Sequence, residues 1–214
     1  MIDPCRFPVF AASFDSDLSP VLETLRREAE EEGIPVIRRE MQAFLRFLLH
    51  VCRPDRILEI GSGTGFSSLF MASCLGETEA VIDTVEYSAV NAEAARANIS
   101  RMNEGKRIRL IEADAGEVIP EMDDPYDFIF LDGPKGQYEA YLSDLIRLLN
   151  PGGILAADNV LKDGEILESR YALPRRQRTI HSRMHDYLYA AMHDERLTSS
   201  IIPLGDGVCV SVRR

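Results

Sequence analysis

A glycine-rich run at residues 59–67, E-I-G-S-G-T-G-F-S, limits the possible folds of this chain more than any other feature. It follows a short apolar run, Arg56–Ile60, and precedes a helical pattern at Phe66–Cys74. Glycines allow a tight turn and a close backbone approach to a ligand, which a side chain would obstruct. Strand, glycine turn and helix together are typical of open α/β sheets, whose ligands lie at the carboxyl ends of the strands. The run therefore predicts an α/β fold with a ligand site beside residues 59–67.

Apolar runs and helical patterns alternate along the rest of the chain, which is typical of a parallel sheet covered by helices on both faces. Two amphipathic helices, about Leu18–Glu32 and Arg38–Cys52, precede the sheet. The last two runs, Ser199–Pro203 and Val208–Val212, flank a Gly-Asp-Gly turn and predict an antiparallel hairpin. This order of elements resembles the mostly parallel, seven-stranded, Rossmann-like sheet of class I methyltransferases. The elements predicted between these ends are Arg56–Ile60, Phe66–Cys74, Ala80–Glu86, Ala89–Asn103, Ile108–Glu112, Phe128–Leu131, Tyr138–Leu149 and Gly153–Ala157.

The length and composition favour one ordered domain. A chain of 214 residues that is 45% hydrophobic is long enough for one α/β core and too short for two. We therefore predict a single domain over residues 1–214, with a helical cap at 1–52 and a variable substrate segment at 161–183. The formal net charge of −11 argues against sequence-independent binding of nucleic acid.

Location and thiol chemistry are also constrained. The apolar runs are far shorter than the roughly 20 residues that cross a bilayer, and residues 1–10 lack the layout of a secretory signal. We therefore expect a cytoplasmic protein without membrane contact. The cysteines are widely separated, without a C-x-x-C pair, and we expect reduced, mostly buried thiols. They are Cys5, Cys52, Cys74 and Cys209.

Acidic side chains mark three successive strands. Glu59 lies two residues before a G-x-G-x-G pattern, which differs from the G-x-G-x-x-G of dinucleotide-binding loops. Glu59 suits a cationic amino group, and the helix start with Ser67 suits a carboxylate. Glu86 ends the next strand, where it can accept hydrogen bonds from both ribose hydroxyls, and Asp114 can meet an adenine amino group. S-adenosylmethionine carries all of these groups.

Two further polar positions follow later strands. Asp132 comes after Phe128–Leu131, and Asp158 and Asn159 come after Ile154–Ala157. If these strands are neighbours, two carboxylates and an amide oxygen meet at one edge of the cofactor cleft. Such an all-oxygen set suits Mg²⁺ or a similar hard cation. Aspartate and asparagine also form turns, so a purely structural role is the alternative.

Four motifs occur in a fixed order from about Pro35 to the C-terminus. They are E-I-G-x-G-x-G-F-S at 59–67, L-D-G-x-K-x-x-Y at 131–138, D-N-V-L-x-x-G at 158–164 and I-P-x-G-D-G at 202–207. Together they resemble the metal-dependent O-methyltransferase family that includes catechol and caffeoyl-CoA O-methyltransferases. The family's small-molecule members often carry a bulky aromatic residue near the metal loop, where this chain has Gly133 and Pro134.

The resemblance implies a role for each matching residue. Asp132, Asp158 and Asn159 would bind the metal, which is Mg²⁺ or another divalent cation such as Mn²⁺ or Ca²⁺. Lys135 would be the catalytic base, with Asp132 beside it. The implied cofactor-binding residues are Glu59, Gly61, Gly63, Gly65, Ser67, Glu86, Tyr87, Asp114, Ala115 and Asp132.

These roles agree with the chemistry of methyl transfer to oxygen. A bound cation lowers the pKa of a coordinated hydroxyl and fixes its oxygen. Lys135 can accept the proton only in its neutral form, which an adjacent cation and partial burial favour. The oxyanion then attacks the sulfonium methyl group in line, and orientation supplies most of the rate.

The acceptor depends on the segment at 161–183. Its R-R-Q-R-T run at 175–179, followed by a helix at about Ile180–Met192, is similar to a bacterial branch that methylates hydroxyuridine in tRNA. In that interpretation the arginines contact phosphates and a splayed base enters the pocket. The alternatives are a solvated loop or a contact in a homodimer, which we expect this chain to form. His181 and His185 share a helix face but lack a third ligand, so we interpret them as surface residues. The arginines of the segment are Arg170, Arg175, Arg176, Arg178 and Arg183.

The sequence therefore predicts an O-methyltransferase that depends on S-adenosylmethionine and a divalent metal. Its acceptor is a small phenolic, catechol-like compound or hydroxyuridine in tRNA. A nucleotide-dependent oxidoreductase is disfavoured by the glycine spacing, by Glu59 and by the terminal hairpin. A non-catalytic nucleoside-binding protein on the same scaffold is disfavoured by the set Asp132, Lys135, Asp158 and Asn159.

Overall fold

A seven-stranded sheet forms the centre of the computed structural model, which describes residues 10–11, 13–14, 18–162 and 164–214. The strand order is β3-β2-β1-β4-β5-β7-β6. The first five strands are parallel, and β7 runs antiparallel to both β5 and β6. The predicted sheet with its C-terminal hairpin is confirmed. The strands are β1 Arg56–Ile60, β2 Val81–Glu86, β3 Ile108–Glu112, β4 Tyr126–Leu131, β5 Leu149–Ala157, β6 Leu197–Ile202 and β7 Val208–Arg213.

Helices cover both faces of the sheet. The α-helices are α1 Pro20–Glu31, α2 Arg39–Cys52, α3 Phe66–Cys74, α4 Ala89–Ile99, α5 Ala115–Val118, α6 Tyr138–Leu148 and α7 Arg178–His193. Helices α1, α2 and α3 pack against Phe128 and Phe130 of β4. Helices α6 and α7 pack against Ile129 and Leu131 of the same strand. Because side chains alternate along a strand, β4 contributes to both cores and is buried on both faces.

Several predicted boundaries shift in the structure. Helix α4 ends at Ile99 rather than Asn103, because the chain turns into a 3-10 helix at Asn103–Arg107. A side chain at Gly105 in that turn would overlap the carbonyl of Ile99. Strand β5 begins at Leu149, four residues before the predicted Gly153, because Leu149 already pairs with Tyr126 of β4, ahead of an irregularity after which regular pairing resumes at Ile154.

Two observations concern location and thiols. No helix in the described part of the chain is both long enough and apolar enough to span a membrane. Cys52 and Cys74 are half-buried, Cys209 is buried, and all three are free thiols. Cys5 lies outside the described residues, so its predicted state has no structural counterpart here.

A buried carboxylate ties the amino-terminal halves of four strands together. Asp83 of β2 is 4% exposed and accepts a hydrogen bond of 2.7 Å from the hydroxyl of Tyr126 on β4. It also pairs with Arg109 of β3 at 2.7 Å and with Arg56 of β1 at 3.4 Å. This cluster lies away from the strand ends where a ligand is expected, so it serves stability.

The Asp83 cluster gives a prediction for stability. Asp83→Ala leaves the buried hydroxyl of Tyr126 without its acceptor, whereas both arginines remain partly solvated. We expect a loss of about 1–3 kcal/mol in the free energy of unfolding, measured by urea denaturation. Asp124→Ala is the control, because Asp124 pairs with Arg56 at the surface and should change stability by less than about 0.5 kcal/mol. Equal losses in the two variants would contradict this interpretation.

Candidate active site

Backbone hydrogen bonds beyond the strands place the two predicted metal-binding carboxylates. The amide of Asp132, just after β4, donates to the carbonyl of Ile60 on β1 at 2.9 Å. The amide of Asp158, just after β5, donates to the carbonyl of Leu131 on β4 at 3.0 Å. Because β1, β4 and β5 are neighbours in the sheet, both carboxylates emerge at the same edge.

One cavity of about 760 Å³ runs across these strand ends, a volume within the usual range for small-molecule sites. It joins the glycine loop to the predicted metal ligands and to Lys135. The predicted site residues that line it are Gly61, Gly63, Ser67, Glu86, Tyr87, Asp114, Ala115, Asp132, Lys135, Asp158 and Asn159.

Glu59 does not line this cavity. The prediction that it faces the cofactor's amino group is therefore wrong. Its side chain is completely buried behind the loop, where Oε2 accepts hydrogen bonds from the hydroxyls of Ser68 and Thr84. Burial raises the pKa of Glu59, and the neighbouring hydroxyls oppose that shift. Glu59 therefore supports the β1–α3 turn from inside the protein.

The loop glycines have different roles. Gly61 has φ +97°, and a side chain there would clash with the backbone of Asp132. Gly65 has φ +80°, does not line the cavity and packs against Ala95 of α4. Gly63 has φ +51° and open space where a side chain would be. Glycine is therefore needed at position 61 because two strand ends pack closely there. We had expected it to be needed for the approach of the backbone to a ligand.

Carboxylates organise the end of the cavity nearest β2 and β3. Glu86 accepts hydrogen bonds of 2.8 Å from the amides of Gly63 and Ser88, one on each oxygen. Each oxygen retains capacity to accept a ligand hydroxyl. Asp114 caps α5 by accepting from the amide of Gly116 at 2.8 Å. This end matches the predicted nucleoside site.

The opposite end holds the predicted metal ligands. Asp158 is 4% exposed, and its Oδ1 accepts from the amide of Asn159 at 2.7 Å. Asn159 has φ 55°, a left-handed conformation that asparagine tolerates better than most residues. Burial, and next the nearby charge of Asp132, raise the pKa of Asp158 to about 7. A buried carboxylate beside a second one is a site that a cation stabilises.

Lys135 joins these groups. Its Nζ lies 2.7 Å from Oδ1 of Asp132, 2.9 Å from the hydroxyl of Tyr138 and 3.3 Å from the carbonyl of Asp158. The short 3-10 turn Lys135–Gln137 after β4 carries the lysine back over the strand end. An amine and two carboxylates therefore share one wall of the cavity.

The donor set fits a hard cation. The donor atoms would all be oxygens, from the carboxylates of Asp132 and Asp158 and the amide of Asn159. The cavity leaves space for water or an acceptor beside them. Asp206 lines the same cavity and adds to the negative charge felt by Asp158. No cluster of three or more His, Cys, Asp or Glu ligands occurs among the described residues, so the amide oxygen would be an essential member of the set.

Sequence reasoning missed part of the cavity wall. The segment at 35–38 before α2, together with Tyr141 of α6, Lys162 and Asp206, also lines it. These positions reach the cavity through tertiary packing of distant elements. Only Asp206, inside the Gly-Asp-Gly turn of the hairpin, had a local signal.

The arginines of the 161–183 segment divide into two groups. Arg178 donates to the carbonyls of Leu173 and Tyr171, and Arg183 donates to the carbonyl of Gly136 at 3.1 Å. Arg178 therefore connects two parts of the segment itself, and Arg183 connects the segment to the turn after β4. The other three are exposed, and none of the five lines the cavity. These three are Arg170, Arg175 and Arg176, and Arg183 is exposed as well.

The prediction that both helix histidines lie on the surface is wrong for His181, which is 5% exposed. Its Nε2 bonds to the carbonyl of Glu168 at 3.0 Å, and Nε2 of His185 bonds to the carbonyl of Ile166 at 3.2 Å. Both histidines therefore hold the segment that leads into α7, because that segment folds back over the helix.

A family model described as O-methyltransferase matches residues 12–214. The chain belongs to this O-methyltransferase family. Two of its curated relatives are bacterial catechol O-methyltransferases. The one from Niastella koreensis is 32% identical over 150 residues, covering 67% of each chain. The one from Mycobacterium tuberculosis is 32% identical over 166 residues, covering 75% of each.

Solved structures of methyltransferases share the fold. A putative caffeoyl-CoA O-methyltransferase from Staphylococcus aureus is 26% identical, with a TM-score of 0.84 over 92% of this chain and 93% of that one. An SAH-bound methyltransferase from Podospora anserina is 25% identical, with a TM-score of 0.85 over 98% and 94% of the two chains. The predicted class, an S-adenosylmethionine-dependent O-methyltransferase, is confirmed, and the oxidoreductase alternative is excluded.

The cofactor end of this methyltransferase gives a second prediction. Glu86→Ala removes a carboxylate that lines the cavity and accepts a hydrogen bond from the loop amide of Gly63. We expect S-adenosylmethionine to bind about 10- to 100-fold more weakly by calorimetry, because hydrogen bonds to a charged group are lost. Glu112→Ala is the matched control, since Glu112 ends the adjacent strand but pairs with Arg96 outside the cavity. The interpretation fails if both variants bind the cofactor as the unaltered protein does.

Proposed function

We propose that this enzyme methylates a hydroxyl group held by a divalent cation at Asp132, Asp158 and Asn159. One observation carries the proposal. The buried carboxylate of Asp158 shares a cavity wall with a second carboxylate and an amide, next to the nucleoside end. This arrangement matches the ligand preference of Mg²⁺, Mn²⁺ or Ca²⁺. The four ordered motifs of the metal-dependent family support the same assignment.

A cation held there by Asp132, Asp158 and Asn159 would supply Lewis-acid chemistry, lowering the pKa of the acceptor hydroxyl and orienting its oxygen. The residues of the chain do the rest. Glu86 and the glycine loop would hold the cofactor in the part of the cavity next to the proposed metal ligands. Lys135 would take the proton from the acceptor hydroxyl through Nζ. The acceptor oxygen then forms a bond to the methyl carbon while the carbon–sulfur bond breaks, and orientation supplies most of the acceleration.

A small phenolic, catechol-like compound is the first candidate acceptor. The cavity of about 760 Å³ has the volume of a site for small molecules, and the relatives described above include catechol O-methyltransferases. Gly133 and Pro134 line the cavity where a bulky aromatic residue would clamp a flat ring, so we expect tolerance of different ring substituents.

Hydroxyuridine in tRNA is the second candidate. Arg170, Arg175 and Arg176 are exposed on the segment beside the site, with Tyr171 among them at 80% exposure. Exposed arginines and an exposed aromatic ring are the groups that contact phosphates and stacked bases in single-stranded RNA. The overall charge of −11 opposes general binding of nucleic acid, so recognition would have to be local.

The metal role predicts a dependence that can be measured directly. Methyl transfer to catechol should stop with excess chelator and return with Mg²⁺. Asp158→Ala should lower turnover at least about 100-fold, because a metal ligand is lost, while the affinity for S-adenosylmethionine changes less than about threefold. Asp144→Ala, on α6 outside the cavity, is the control and should keep full activity. Turnover that is indifferent to the chelator would refute the metal role.

The two acceptors can be separated in cells. If tRNA is the acceptor, deleting the gene should leave unmethylated hydroxyuridine in the tRNA pool, detected by nucleoside mass spectrometry. Restoring the gene with Arg170, Arg175 and Arg176 all changed to Ala should fail to reverse this, whereas activity on catechol should survive. An unchanged nucleoside profile after deletion would remove tRNA as the acceptor.

A homodimer and a cytoplasmic location stay predictions. Phe47 and Val51 lie on the outer face of α2, at 62% and 63% exposure, and would suit a contact between two copies.

A further inference from the structure

A buried tyrosine next to the proposed base has no part in the steps described above. Tyr138 begins α6, is fully buried and does not line the cavity. Its hydroxyl lies 2.9 Å from Nζ of Lys135, 3.0 Å from the carbonyl of Leu131 and 3.3 Å from the carbonyl of Asp158. The phenol oxygen therefore lies between the ends of β4 and β5 and the lysine.

The hydrogen bonds of this phenol have a defined direction. A tyrosine hydroxyl has one hydrogen and can also accept. The carbonyls of Leu131 and Asp158 can only accept, so the hydrogen of Tyr138 goes to one of them. A lone pair of the oxygen then faces Nζ of Lys135, which donates. The carbonyls at the ends of β4 and β5 therefore fix the orientation of the phenol, and the phenol in turn limits the positions that Nζ of Lys135 can take.

The lysine has three acceptors, and they are not equivalent. Its Nζ reaches Oδ1 of Asp132, the hydroxyl of Tyr138 and the carbonyl of Asp158. An amine that acts as a base has two hydrogens and a lone pair, so it can donate to only two of these acceptors while the lone pair takes a proton. A cation bound by Asp132 would compete with Lys135 for that carboxylate. The phenol and the carbonyl are then the groups that remain to hold Nζ.

We propose that Tyr138 is a positioning residue that keeps Nζ of Lys135 beside the acceptor hydroxyl while Asp132 binds the cation. The proposal rests on the proposed function, because it takes Lys135 as the base. Tyr138 acts through the lysine alone, since its ring lies behind the cavity wall and packs in the core. Its ring meets that of Tyr187 edge to face at 5.4 Å.

Tyr187 provides a matched control. It is also fully buried and belongs to the same core cluster as Tyr138. Within the described part of the chain, its hydroxyl makes no hydrogen bond to Lys135 or to Asp132. Tyr138→Phe and Tyr187→Phe therefore remove the same atom from neighbouring rings, and only the first removes a contact to the lysine.

The first experiment measures Lys135 without any acceptor. The chain has three lysines, Lys106, Lys135 and Lys162, and Lys106 is exposed and can serve as an internal reference. Acetic anhydride transfers an acetyl group to a free amine and releases acetate, and peptide mass spectrometry gives the rate at each lysine. In Tyr138→Phe, we expect acetylation of Lys135 relative to Lys106 to rise about fivefold or more, because one hydrogen bond to the amine is lost. In Tyr187→Phe the ratio should stay unchanged.

The second experiment measures turnover with catechol, S-adenosylmethionine and Mg²⁺. In Tyr138→Phe, kcat should fall about tenfold or more, while the KM for S-adenosylmethionine changes less than about twofold. Tyr187→Phe should keep kcat within about twofold of the unaltered enzyme. A merely structural role of Tyr138 would instead change KM, kcat and thermal stability together, or affect both variants alike.

The outcomes separate this inference from the function on which it rests. An unaltered enzyme that does not turn over catechol counts against the proposed acceptor, and the acetylation ratios still decide the role of Tyr138. An unchanged ratio in Tyr138→Phe overturns the positioning role. An equal rise of the ratio in Tyr187→Phe also overturns it. If the unaltered enzyme is active, a raised ratio in Tyr138→Phe with an unchanged kcat overturns it as well.

Discussion

The site depends on hydrogen bonds that extend the sheet by one residue beyond its strands. The amides of Asp132 and Asp158 bond to the carbonyls of Ile60 and Leu131, so each carboxylate is fixed by the neighbouring strand. Gly61 makes this possible, because any side chain there would occupy the place of the Asp132 backbone. Regular backbone geometry, rather than flexible loops, therefore sets the spacing between the glycine loop and the proposed metal ligands.

This placement concentrates negative charge at a buried position with little access to water. Asp158 is almost fully buried, and the nearby Asp132 and Asp206 further raise its pKa. Lys135 offsets part of this charge through its contact with Asp132. Buried like charges are costly unless an opposite charge compensates them. This buried negative charge would suit the cation proposed above, at the place where the acceptor oxygen would become negative.

Local signals allowed prediction of the sheet, the hairpin and most of the site, because strand ends carry Glu86, Asp132 and Asp158 in sequence order. The prediction that Glu59 faces the cofactor was wrong. The direction of its side chain depends on hydrogen bonds from Ser68 and Thr84, and those partners lie on other elements. The burial of His181 depends in the same way on a segment folding back over α7. The cavity wall at 35–38 comes from long-range packing that has no periodic pattern in the sequence.

The central claim is that one cation binds beside the nucleoside pocket through three side chains distant in sequence. Anomalous X-ray diffraction from crystals grown with Mn²⁺ and S-adenosylhomocysteine tests it most directly. The account predicts one anomalous peak within about 2.5 Å of oxygens from Asp132, Asp158 and Asn159, next to the cofactor. Crystals in which the cofactor is bound but those three side chains hold no metal, or in which Mn²⁺ binds to other residues, would contradict it.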